Sequence, residues 1–191
     1  MRGMSKLGTK GAVELSIGTI VIITLAMSML ILGIVLVKNI FSSGIDIVDM
    51  TDAQLKNQVS QLFGEDKKLV MYPDSREIKI KVGDIGGFGF GIQNLLTGTQ
   101  STDAKFSYEV IVSDEDVRSK CGVSEQEIER DWITTGRSES NIPIAPGEST
   151  SGKVLLTIPD GTAPCTFRLR ISVKQNNENY ATSLMDVIIE P

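Results

Sequence analysis

Three hydrophobic rhythms follow one another along this chain. From Leu15 to Val37 apolar and small residues run on for 23 positions without a charge. Wound as a helix at ~1.5 Å per residue, that run is ~35 Å long, enough to cross a hydrocarbon core of ~30 Å. Phe41-Ser42-Ser43-Gly44 ends it and loosens the chain. Thr51-Asp52-Ala53-Gln54 then has the Ser/Thr-x-x-Glu/Gln form of a capping box, and Leu55, Val59 and Leu62 follow at spacings of four and three. This second rhythm predicts a short amphipathic helix over 52–63, either a stalk or an element packed on the domain; we assign 44–66 to a stalk. Gly64-Glu65-Asp66-Lys67-Lys68 is a polar break.

Beyond the break the rhythm becomes period two. "KLVMYPDS" and "REIKIKVGD" read as strands around a Pro-Asp-Ser turn, with Ile78, Ile80 and Val82 on one face. In "GGFGFGIQNLL", Phe88, Phe90 and Ile92 alternate with glycines, and "AKFSYEVIVSD" sends Phe106, Tyr108, Val110 and Val112 to a core. The acidic stretch "SDEDVRSKCGVSEQEIERDW" reads as loop or short helix. "GKVLLTIPD", "CTFRLRISVKQ" and "YATSLMDVIIEP" close the chain as three more strands, the last two joined by the Asn-rich "NNEN". Seven or so short strands with few helical patterns predict a mainly β fold: an antiparallel immunoglobulin-like β-sandwich over 67–191 behind a long N-terminal hydrophobic α-helix over 12–43.

Composition narrows the chemistry. A net charge of −5 argues against nucleic acid, whose phosphates need a basic face. The chain has no histidine, which removes the commonest general base and transition-metal ligand and makes a Ser/His or Cys/His pair impossible. "GDIGGFGFG" invites a nucleotide-loop reading but lacks Gly-Lys-Ser/Thr, and its glycines lie within a strand; close strand packing or a bulge is the better reading. Asp114-Glu115-Asp116 has no calcium-loop spacing around it and reads as a solvated turn. We therefore expect no enzyme, no cofactor, no metal and no small-molecule substrate. Cys121 and Cys165 are the two cysteines; two widely spaced Cys in an exported domain most often form one disulfide, with two free buried thiols as the alternative.

Direction follows from charge. Arg2, Lys6 and Lys10 precede the apolar run, while Lys38 is followed by Asp46, Asp49 and Asp52. Lys/Arg excess marks the cytoplasmic side, which puts the N-terminus inside and the C-terminal domain outside, on a single-pass membrane segment. The run is too long for the h-region of a removed secretory signal, although Ser42-Ser43-Gly44 offers small residues after it. No cysteine stands at its end to carry a lipoprotein anchor.

Lys10-Gly11 before Ala12-Val13-Glu14, then an intact hydrophobic helix, resembles the class III signal of archaeal type IV pilin-like proteins. The resemblance covers about 35 residues. It implies that a prepilin-type peptidase cuts between Gly11 and Ala12 on the cytoplasmic side, that 1–11 is a leader, and that the retained helix self-associates in a filament core. Glu14 is then the assembly residue, its carboxylate meeting a free N-terminal amine on a neighbouring helix. It stands third after that cut, where the family usually has its acid fifth, and Gly8 is a second candidate for the cut. The segment "IPIAPGESTSGKVLLTIPDGTAPCTFRLRISVKQ" and the closing "VIIEP" resemble immunoglobulin-like domains of archaeal surface proteins. What the two resemblances imply is a pilus-like filament subunit. The alternative is a permanently anchored accessory protein that binds a surface layer or an archaellum motor component.

Overall fold

A run of apolar and small residues, interrupted only by Thr and Ser as far as Val37 and closed by Lys38-Asn39-Ile40-Phe41-Ser42, forms α1 (Ile17–Ser42), 26 residues long. The computed structural model describes residues 17–42, 47–64, 66–97 and 104–191. The chain divides into two units, Met1–Gly44 and Ile45–Pro191.

The second unit opens with α2 (Asp52–Leu62), started by the expected box: the Gln54 amide donates to Thr51 Oγ1 and the Thr51 amide donates to Gln54 Oε1 at 3.0 Å. Nine strands follow among the described residues: β1 (Leu69–Tyr72), β2 (Glu77–Lys81), β3 (Ile85–Gln93), β4 (Lys105–Val112), β5 (Ile133–Thr135), β6 (Ser138–Pro143), β7 (Ser149–Thr157), β8 (Thr166–Gln175) and β9 (Glu178–Glu190). One sheet has the order β1-β3-β7-β5 and the other β2-β9-β8-β4-β6. The pairings are antiparallel except β2 with β9, where Glu77 to Lys81 run parallel to Asp186 to Glu190. The chain changes sheet between β1 and β2, so these neighbours in sequence do not pair with each other. The structure is an immunoglobulin-like sandwich with one parallel edge pair.

Period two sets the core. Phe88, Phe90, Ile92, Phe106, Val110, Leu169, Ile171, Val173 and Val187 are buried between the sheets. The β8–β9 hairpin turns on Asn176 and Asn177 at φ 49° and 70°, the pair of left-handed residues that a tight two-residue hairpin requires. The acidic stretch is helical in part: α3 (Val117–Cys121), then α4 (Glu125–Glu127), which widens into a π-helical turn over Ile128–Trp132.

One assignment needs correction. The segment given to a stalk belongs to the sandwich unit, which begins at Ile45. The reason is a second small core, in which Ile47, Met50, Leu55, Val59 and Val70 are buried against the outer side of the four-stranded sheet. The glycines of "GGFGFGIQ" make this possible. A Cβ on Gly89 would overlap Leu55, and one on Gly91 would overlap Val59 and the Phe63 ring. The Gly-x-Gly pattern is the floor on which α2 lies.

Candidate assembly and interaction surfaces

The first candidate surface is α1 itself. Its 26 residues give a length of ~39 Å at the usual helical rise, more than the ~30 Å of a bilayer core. All residues from Gly18 to Val35 are exposed, with Met29 at 78% and Ile22 at 68%. The two hydroxyls in the middle are internally satisfied: Thr24 Oγ1 donates to the Val21 carbonyl at 2.9 Å, and Ser28 Oγ to the Thr24 carbonyl at 2.8 Å. Such back-bonding lets Ser and Thr enter an apolar medium without an orphaned donor. The sequence-derived processing pair Gly11 and Ala12, and the assembly residue Glu14, lie outside the described residues.

The second surface is shaped by the disulfide. Cys121 at the end of α3 is bonded to Cys165, one residue before β8, with Cα atoms 5.3 Å apart. The bridge ties the helical excursion between β4 and β5 to the five-stranded sheet. Trp132, at the far end of the excursion, packs edge-on against Phe167 with ring centres 5.8 Å apart. Glu129 closes it: Oε1 accepts from the Val112 amide at 2.9 Å, and Oε2 pairs with Arg137 at 2.9 Å. The Asp114-Glu115-Asp116 triplet forms a turn in which both oxygens of Asp114 accept from Lys120, at 3.0 and 2.9 Å. That ammonium group holds the Asp114 carboxyl below the usual carboxylate range. Among the described residues no group of three or more acids or cysteines is placed to hold a metal.

Between the excursion and the sheet runs an open groove of about 770 Å³, bordered by Asp114, Lys120, Cys165, Arg168, Asp186 and Ile188. Arg168 and Asp186 cross it as a two-pronged ion pair, Nε to Oδ1 at 2.6 Å and the terminal nitrogen to Oδ2 at 3.1 Å, and this holds the guanidinium more firmly protonated. The groove mixes charged and apolar surface, its charges mostly paired with one another, and it presents no nucleophile with a base beside it.

The two sheets differ in what lies outside them. The four-stranded sheet carries α2; among the described residues the outer face of the five-stranded sheet carries no such helix, and the helical excursion borders it only at the Arg168–Asp186 end. Alternation along β8 sends Leu169, Ile171 and Val173 inward and Arg168, Arg170, Ser172 and Lys174 outward. In the middle row Arg170 stands between Ile111 on β4 and Leu184 on β9. Its Nε is sealed from solvent and has no acceptor. Sequence reading passed over this row; the alternation in "RLRISVK" contains the signal.

A third fixture stiffens one end of the sandwich. The Tyr180 hydroxyl donates to the Gln93 carbonyl at 2.7 Å and accepts from the Leu95 amide at 3.0 Å, while Lys68 lies 4.8 Å over its ring. Beside it the fully buried Asn94 donates to the Ile144 carbonyl at 2.8 Å. Burial pushes the Tyr180 phenol up.

By its own topology, then, the chain is an immunoglobulin-like sandwich preceded by an apolar helix. No protein-family model matches it, and no curated protein does. Solved structures that match part of the chain include the periplasmic chaperone SfaE (5% identity, TM-score 0.42), a family 123 glycoside hydrolase from Clostridium perfringens (12%, 0.35) and an alkylpurine DNA glycosylase from Pseudomonas fluorescens (12%, 0.30). The matches cover 64%, 60% and 62% of this chain but only 56%, 22% and 29% of those proteins. Similarities at this level carry no argument about activity or partners.

Proposed function

We propose that this chain is a structural subunit of an archaeal type IV pilus-like surface filament, assembled through its N-terminal helix. The observation that carries the reading is the exposure of every residue from Gly18 to Val35 on a helix longer than the hydrocarbon core of a bilayer. A surface of that kind needs lipid or other apolar helices around it. The Lys10-Gly11-Ala12-Val13-Glu14 sequence supports the same reading. A prepilin-type peptidase would remove Arg2, Lys6 and Lys10 together and free an amine to meet Glu14 of a neighbour. An unpaired charge is costly in an apolar bundle, so that pair would set the axial register of packed subunits. The outside of the filament would then carry the sandwiches. In this reading the chain is not an enzyme and takes no cofactor.

The second reading is a permanently anchored accessory protein, N-terminus in the cytoplasm, whose external sandwich binds a surface layer or an archaellum motor component. It is favoured by the position of Glu14, third rather than fifth after the proposed cut. The mass of the mature N-terminus separates the two. A chain starting at Ala12 supports the filament subunit, and one starting at Met1 sinks it. Electron microscopy of the purified protein adds a second readout, filaments against isolated membrane particles.

A further inference from the structure

Arg170 and Glu109 are diagonal neighbours on the outer face of the five-stranded sheet, since Arg170 lies opposite Ile111 and Glu109 opposite Ser172. Diagonal positions are ~7–8 Å apart, within reach of long side chains, and Lys79 pairs with Glu190 at 3.2 Å across such an offset between β2 and β9; Arg170 and Glu109 do not close onto each other in this way. Neither residue has an ion-pair partner among the described residues. The Arg170 Nε is sealed within the chain and has no acceptor among the described residues, so a carboxylate arriving from outside meets the terminal guanidinium nitrogens. Beside the pair lie Ile111 and Leu184, the latter 37% exposed.

We propose that this face pairs with the same face of a second copy. A two-fold axis lying between the two faces, across the Arg170–Glu109 diagonal, sets each Arg170 opposite the other copy's Glu109. One diagonal thus yields two reciprocal ion pairs, the self-complementarity that a two-fold contact demands. Ser172 and Ile111 fall beside the axis and meet their own counterparts. The opposite sheet cannot offer such a contact because α2 covers it. Exposed ion pairs contribute at most about 1 kcal/mol each, so the contact is weak between free molecules. It rests on the reading that α1 brings copies together, which raises their effective concentration enough for a weak face to engage.

The test is cysteine cross-linking of the full chain in its membrane. Both native cysteines are in the disulfide, so an added thiol is the only free one. Ser172→Cys is expected to form dimers on mild oxidation at a yield about tenfold above Lys56→Cys, an exposed position on α2, because facing charges fix the orientation of approach. R170E should cut the Ser172→Cys yield about fivefold by facing Glu with Glu, and the exchange E109R/R170E should restore it. Met29→Cys in α1 reports helix association separately. Equal yields at positions 172 and 56 while position 29 cross-links overturn face pairing and leave helix assembly standing. No cross-link at any position overturns both. Insensitivity to R170E, in protein whose circular dichroism and native disulfide are unchanged, or failure of the charge exchange to restore the yield, also overturns the pairing.

Discussion

Gly91→Ala tests whether the glycines of β3 are there to seat α2. The new methyl meets Val59 and the Phe63 ring, both side chains of the helix and its cap. Gly91 does not have a left-handed φ, so alanine is acceptable to the backbone itself. The cost is therefore overpacking, about 1–3 kcal/mol. It falls on α2, whose grip on the sheet is the burial of Leu55 and Val59, each worth about 1.5–3 kcal/mol. The main core lies on the other side of the sheet and does not feel the methyl. Amide hydrogen exchange reads this directly: α2 amides should exchange roughly 5- to 150-fold faster, while those of β8 and β9 keep their protection. Val59→Ala removes the atom the methyl strikes, so adding it to Gly91→Ala should cost less than the sum of the two single changes by at least about 0.5 kcal/mol. The reasoning fails if Gly91→Ala leaves α2 exchange unchanged. It also fails if β8 loses as much protection as α2, or if the two changes add without coupling.

Other expectations follow from the same surfaces. Replacing Cys121 and Cys165 together by Ser opens a bridge with a sequence separation of 44 and should cost about 4 kcal/mol in denaturant unfolding, with reductant giving the same loss in the native chain. Tyr180→Phe removes a hydroxyl that serves Gln93 and Leu95 and should cost about 1–2 kcal/mol, with the Leu95 amide exchanging faster. Asp114 titrates below its ordinary value because of Lys120, so its contribution is present above the unfolded-state pKa of about 3.9 and is lost as pH falls through the folded-state value. Lys120→Met should therefore weaken the chain at neutral pH and flatten the acid limb of its stability profile. Leu30→Lys puts a charge at mid-helix and should impair membrane retention, at about 2.5–3.5 kcal/mol on insertion scales; carbonate extraction checks it.

What could be read from the residues depended on whether a rhythm was present. The core strands declared themselves because Phe88, Phe106, Leu169 and Val187 alternate with polar or small positions. β5 and β6 did not, since Ser138 to Asn141 are all exposed and carry no apolar period. They are held by hydrogen bonds to β7 and β4, partners that only the fold brings near. The stalk assignment failed for a related reason. Leu55 and Val59 showed an apolar stripe on the helix, but its receiving surface was a strand of glycines, which has no hydrophobic signature of its own. The capping box was legible because its partners are three residues apart. Arg170 and Glu109 were legible only as outward positions, and their relation needed the β4–β8 register.

The surface of α1 bears on how an anchor could become a rod. Ile20, Val21, Ile22 and Ile23 are all exposed, and successive helical residues point ~100° apart, so these four sweep most of the way round the helix. Met29, Leu30, Ile31 and Leu32 do the same about two and a half turns later. A helix built to lie against one protein partner would concentrate such residues on a stripe. Apolarity on every side suits both lipid, which surrounds it, and a crowded bundle of copies, in which each helix meets several neighbours. Movement from one to the other would leave the burial of α1 nearly unchanged. On the proposed filament reading, the free-energy difference between membrane and filament then comes from elsewhere: charges that precede α1 in the sequence, Glu14 among them, and contacts between sandwiches. If Glu14→Gln and R170E each weaken assembly while leaving membrane insertion intact, those two places hold the difference; if neither does, helix packing alone sets it.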